Sequence, residues 1–169
     1  MKQFIKCPTC NSVELATIGT NSIPFWTYIH NCNLCRFIIM ESDWETLPAL
    51  SIRQPWAWLI VNGFKGIENR NNLKNFTGDF LIHASSKWDK NWFNFSSAQT
   101  RELLSTIQMP VKEKMQYGGI IGYATITGYV EKSDSPWFIG KYGLLIKDPH
   151  PLAFTPCKGK LSFFTPEIE

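Results

Sequence analysis

Three charged side chains, Lys65, Glu68 and Arg70, crowd into the six positions 65–70, shortly after an apolar run over 56–61 and a glycine at 63. Charges so close to an apolar segment are costly to bury, so a pocket rim explains them better than packing alone. On a regular strand Glu68 and Arg70 share a face, whereas Lys65 stands at an odd offset from Glu68. Lys65 is therefore expected in the loop after Gly63, or re-aimed by a bulge, at the mouth of a pocket. Burial and the neighbouring Arg70 would lower the pKa of its amine, making it a candidate catalytic base or nucleophile. Glu68 would then relay protons or hold a substrate amine. The competing reading is an ion pair of Glu68 and Arg70 that braces the fold and leaves Lys65 exposed.

Other residues offer binding chemistry. A helix opening at Pro55 presents free backbone N–H groups at its start, which makes Gln54 and Trp56 candidate ligand contacts. The Trp56 indole would stack a base or pack in the core. In the loop 133–137, Ser133, Asp134, Ser135 and Trp137 bring two hydroxyls, a carboxylate and an indole together, suited to bonding and stacking a nucleobase. The same residues would also serve to organise a turn before Pro136. Trp88, Trp92, Phe93 and Phe95 alternate with Lys87 and Lys90, a pattern that fits single-stranded nucleic acid or a helix packed on the fold. His83 reads as a structural histidine. No phosphate-cradling glycine loop and no serine-hydrolase elbow is present.

The cysteines form a separate constellation. Cys7 and Cys10, then Cys32 and Cys35, make two C-x₂-C pairs separated by 21 residues. Two thiolates at this spacing grip one tetrahedral ion from a tight turn, and two such turns complete a Cys₄ site for one structural zinc. Cys157 has no partner at ligand spacing.

These groups need two supports. Residues 1–46 read as a zinc ribbon, with strands over 12–19 and 25–31 and with Phe25, Trp26, Tyr28 and Ile29 covering a small sheet. A core of that size depends on its metal. Residues 43–48 read as a linker. Residues 47–169 read as a second domain, with a strand over 49–52, a helix over 55–62 capped by Gly63, and strands near 66–70 and 80–84. A helix capped by Ser97 should run to about 108, followed by strands over 120–130, 142–146 and 161–164. With 169 residues and 44% hydrophobic content, the chain can build a packed core. No apolar run is long enough for a membrane span or an export signal, so a cytoplasmic protein is expected. Residues 1–46 carry a net charge of −1 and the remainder +4, an excess compatible with a polyanionic partner.

The segments 49–57 and 63–70 resemble the signature of the ASCH family (activating signal cointegrator homology). The likeness continues through Thr77-Gly78-Asp79, 81–84, 119–122, 133–138 and Tyr142-Gly143, and ends near Lys158-Gly159-Lys160-Leu161. This resemblance implies an α+β fold: a PUA-like β-barrel with flanking helices, preceded here by the zinc ribbon. It also implies a ligand cleft beside the first helix and a function around RNA, other single-stranded nucleic acid or a nucleobase. Gln54, Trp56, Lys65, Glu68, Arg70, Ser133, Ser135 and Trp137 would be the binding residues. Compact members of the family resemble amidohydrolases acting on N4-acetylcytidine through a lysine, a threonine and a glutamate. Lys65 matches that lysine, Glu68 stands at the threonine position, and Glu131 is the candidate third member. A ribonuclease activity is the remaining alternative, with Lys65 and Arg70 as base and phosphate-binding cations.

Overall fold

The structure, a computed structural model, describes residues 2–17, 29–72, 75–94 and 97–168. The expected strands over 12–19 and 25–31 fall partly outside these residues, as do the side chains of Phe25, Trp26, Tyr28 and Phe95. In chain order the elements are β1 (Lys2–Lys6), β2 (Val13–Thr17), β3 (Ile29–Asn31), β4 (Ile38–Met40), β5 (Glu45–Thr46), β6 (Ala49–Gln54), α1 (Trp56–Val61) and β7 (Ile67–Arg70). There follow β8 (Gly78–Trp88), α2 (Ala98–Thr106), β9 (Gly119–Val130), β10 (Tyr142–Pro156) and β11 (Phe163–Phe164).

Six strands, in the order β11-β6-β8-β9-β10-β7, form one sheet that curls into a half-barrel. All pairs are antiparallel except β6 with β8, which sets Leu50 beside Ile82 and Ser51 beside His83. The longest pair, β9 with β10, is interrupted by three register shifts that bend it. Those irregularities also carry β10 past Pro149 and Pro151, so the strand expected to stop at 146 continues to Pro156. Burial alternates along β6 and β8 between two clusters. Leu50, Ile52, Phe80 and Ile82 point into the barrel, where they meet α1, while Ala49 and Leu81 point to the other side. This two-sided burial fits the adjacent apolar residues Ala49-Leu50 in β6 and Phe80-Leu81-Ile82 in β8.

Helix α1 is only six residues long and would not persist alone in water. Five of its side chains, Trp56, Ala57, Leu59, Ile60 and Val61, are buried inside the curl. At about 1.5–3 kcal/mol for each large apolar group, that packing outweighs the poor intrinsic stability of one and a half turns. The Gln54 side chain serves the helix start, its Oε1 accepting from Trp58 N at 3.0 Å. α2 begins as expected, with Ser97 Oγ accepting from Thr100 N at 3.1 Å. Among its described residues the aromatic stretch after position 87 forms no helix: Trp88 ends β8, Trp92 packs on the main core from a turn, and Phe93 is exposed.

The N-terminal sheet, in the order β2-β1-β5, lies on the outer side of the barrel. Residues expected as a linker supply β5, which pairs with β1, and Leu47, which is buried. Phe4 and Val13 share one apolar cluster with Leu47, Ala49, Leu81, Ile120, Phe164 and Ile168. At its edge Lys6 Nζ donates to Asp79 Oδ2 at 2.5 Å, and Thr125 Oγ1 donates to Asp79 Oδ1 at 2.5 Å. Among the described residues no helix is long and apolar enough to cross a membrane.

Candidate functional site

The turn after α1 brings a lysine inside the protein. Gly63 adopts φ +79°, a conformation that side chains with a Cβ resist, and it reverses the chain at the helix end. The amides of Phe64 and Lys65 then both donate to the Leu59 carbonyl, at 2.9 and 3.1 Å. This closes the loop and aims Lys65 inward. Lys65 is therefore in the expected loop but not at an open mouth: it is 2% exposed. Its ammonium donates to the Ile67 carbonyl and to Glu68 Oε2 at 2.9 Å, and lies 5.7 Å from the centre of the Trp56 ring.

Glu68 and Arg70 share a face of β7, as their spacing requires, and extend the pair into a chain of three charges. Arg70 Nη2 stands 3.3 Å from Glu68 Oε1 and donates to the Ser51 carbonyl at 3.1 Å. Burial pushes the Lys65 amine below its usual range, Glu68 opposes that shift, and Arg70 adds to it. Arg70 keeps a buried Nε with no acceptor among the described residues. Its guanidinium is thus not fully satisfied by the protein itself.

These groups line a cleft of about 1110 Å³. Trp56 walls it, with Nε1 donating to Asp89 Oδ2 at 2.9 Å; at 7% exposure the indole offers an edge rather than an open stacking face. Beside Arg70 on the cleft floor, Ser51 Oγ lies 3.0 Å from His83 Nδ1, and His83 Nε2 lies 3.1 Å from the Cys157 carbonyl. A carbonyl only accepts, so Nε2 carries the proton and Nδ1 receives the Ser51 hydroxyl. Burial pushes the His83 pKa down, which keeps the ring neutral in this role. Arg53 and Lys87 stand exposed on the rim.

Not every expected contact reaches the cleft. Gln54 is 1% exposed, with Nε2 donating to the Gln116 carbonyl at 2.9 Å and Oε1 capping α1, so both ends of its amide are used. Ser133 Oγ accepts from Ser135 N, and Ser135 Oγ accepts from Trp137 N, so the two hydroxyls organise a turn. Trp137 is buried in the main core, and Glu131 is exposed outside the cleft lining. Ser51, Asn69 and the 157–161 segment do line the cleft, and the sequence reading did not single them out as ligand contacts. Parallel pairing across 32 positions sets Ser51 against His83, and no local pattern announces it.

The four cysteines meet where the turn between β1 and β2 faces the turn between β3 and β4, which pair as a two-stranded sheet. Their sulfurs all lie within 4.8 Å of one another, with 3.7 Å between Cys7 and Cys35 and 3.5 Å between Cys10 and Cys32. A tetrahedral ion with metal–sulfur bonds of about 2.3 Å needs sulfurs about 3.8 Å apart, so the set fits one. Two matching turns make it. Asn11 N donates to the Cys7 carbonyl and Arg36 N to the Cys32 carbonyl, and both Asn11 and Arg36 have positive φ, 60° and 66°. Glu14 on β2 ties the second turn down by accepting from Asn33 N and Nδ2.

Glu68→Ala leaves the buried Lys65 without its counter-charge and is expected to cost about 3–5 kcal/mol. Lys65→Met keeps the stem and leaves Glu68 paired with Arg70, so its cost should be smaller. Urea unfolding monitored by tryptophan fluorescence measures both; equal stability of Glu68→Ala and wild type would show that the pair contributes nothing.

No curated protein matches the chain. The family model for the ASCH domain matches residues 50–138, more than half of the sequence, spanning β6, α1 and the charged strand β7. The chain belongs to the ASCH domain family.

Proposed function

We propose that the protein binds single-stranded RNA and holds one nucleobase in the cleft beside α1. The observation that carries this reading is the charge chain of Lys65, Glu68 and Arg70 at the cleft floor. A buried carboxylate between two cations sets an acceptor and donors within a few ångströms, the pattern needed to read a base edge. The Arg70 Nε donor without an acceptor adds a site that a ligand oxygen would satisfy. The rim cations Arg53 and Lys87, with Lys158 and Lys160, suit phosphates. The general association of the family with RNA points the same way.

Fluorescence anisotropy of a labelled 12-nucleotide RNA tests this. Affinity is expected to fall as salt rises, and Arg53→Gln with Lys87→Gln should weaken binding several-fold without unfolding the chain, since both side chains are exposed. Absence of binding at low salt would reject the proposal.

A second reading rests on one feature, the buried Lys65 amine bonded to Glu68, which is also the arrangement of a lowered-pKa base beside a proton relay. It makes the protein a hydrolase of an acylated nucleoside. Incubation with N4-acetylcytidine, followed by mass spectrometry, separates the two: turnover abolished by Lys65→Arg makes it an enzyme, and binding without turnover makes it a reader.

The Cys₄ set is assigned to one structural zinc ion, because four thiolates in tetrahedral array suit a soft-accepting, redox-inactive dication. Residues 1–46 then form a zinc ribbon built against the barrel of residues 47–169. Native mass spectrometry of freshly purified, reduced protein should show one zinc per chain, lost in Cys32→Ser. A metal-free folded chain would contradict this.

A further inference from the structure

Two exposed aliphatic side chains line the cleft that holds the charge chain. Leu161 is 97% exposed and Ile139 is 42% exposed, and both line the cleft from separate loops. A single exposed leucine needs no explanation. Two projecting into the mouth of one charged cleft, each on an anchored loop, do. The Ile139 amide donates to Asn69 Oδ1 at 2.9 Å, and Asn69 Nδ2 donates back to the Trp137 carbonyl at 2.8 Å. On the other loop Gly159 presses its backbone onto the cleft floor, where a Cβ would fall 2.5 Å from the His83 ring and 2.7 Å from Ser51 Oγ. Lys160 Nζ is held by Glu167 Oε1 at 2.6 Å. Leu161 therefore projects two residues after the seated Gly159, flanked by Lys158 and Lys160.

We infer that Leu161 and Ile139 form a wedge that enters a base stack, so that the cleft receives a base extruded from paired RNA. This rests on the RNA-binding reading of the cleft and extends it from unpaired to paired strands. Extruding a base costs a few kcal/mol of unstacking and unpairing, and an apolar side chain that fills the vacated place recovers part of it. Flanking phosphates have a track beyond the cleft. A second hollow of about 800 Å³ shares Arg53, Lys87 and Asp89 with it and adds Lys90, Lys112 and Glu113, so cations outnumber carboxylates along it. The combination of charged floor, apolar tips and basic track matches a nucleotide drawn out of a polymer better than a free nucleoside.

A 12-base-pair RNA duplex carrying one 2-aminopurine, and the same labelled strand alone, test the wedge, because 2-aminopurine brightens when it leaves the stack. Wild type should bind both RNAs and brighten the duplex. Measured against its own single-strand affinity, Leu161→Ser should bind the duplex about ten-fold more weakly than wild type does and fail to brighten it, as expected when the side chain that fills the vacated stack is lost. Leu161→Phe should restore the brightening. Equal brightening by Leu161→Ser and wild type overturns the wedge, as does wild-type binding of the single strand without duplex brightening; both leave the RNA-binding reading standing. Failure of wild type to bind either RNA overturns both.

Discussion

A lysine with 2% exposure has lost its water, and the organisation of the cleft follows from replacing it. Taking an ammonium out of water costs several kcal/mol unless hydrogen bonds and an opposite charge stand where the water was. Here the Ile67 carbonyl and Glu68 Oε2 take two of its donors, and the Trp56 ring faces the amine. Each partner depends on a backbone decision elsewhere. Gly63 turns the chain at the end of α1, Leu59 receives two amides to hold that turn, and β7 pairs with β10 so that Leu144 lies opposite Glu68 and Tyr142 opposite Arg70. Displacing α1 would therefore move the lysine, the carboxylate and the wall of the cleft together.

The N-terminal sheet is tied to the same scaffold. Ala49 belongs to the cluster shared with Phe4 and Val13, and two residues further along the same strand Ser51 meets His83 in the cleft. Lys6 and Asp79 join the edge of that interface. Burial pushes the Asp79 carboxyl up, but the bonds from Lys6 and Thr125 hold it below its usual range. Its charged form thus favours the docked arrangement, a contribution present at neutral pH and lost as acid titrates the folded carboxylate. The four cysteines sit directly after Lys6 and in a facing turn, close enough together to hold one ion, while Phe4 and Val13 of the same strands pack on the barrel.

Features set by a few neighbouring residues were legible in the sequence. The two C-x₂-C pairs converge, Gly63 ends α1, Ser97 caps α2, and Glu68 with Arg70 share a face because strand side chains alternate. Features decided by distant partners were not. Residues 43–48 look like a linker until β1 pairs with Glu45 and Thr46, and β10 passes two prolines because bulges release it from regular pairing. The hydroxyls of Ser133 and Ser135 suggested ligand contacts, yet local amides use them. Lys65 looked like a rim charge, since sequence alone does not show that Trp56, Ile67 and Glu68 enclose it.

The RNA-binding role proposed for the cleft requires a nucleobase to meet the charge chain at its floor. Carbon–proton NMR of the Lys65 Cε group reads that contact directly, because its shift responds both to the charge of the amine and to a ring placed nearby. Addition of a 12-nucleotide single-stranded RNA should move the Lys65 signal while leaving that of Lys132, exposed and outside the cleft lining, in place. RNA that binds by anisotropy but leaves the Lys65 signal unmoved would contradict the account and place the binding surface elsewhere.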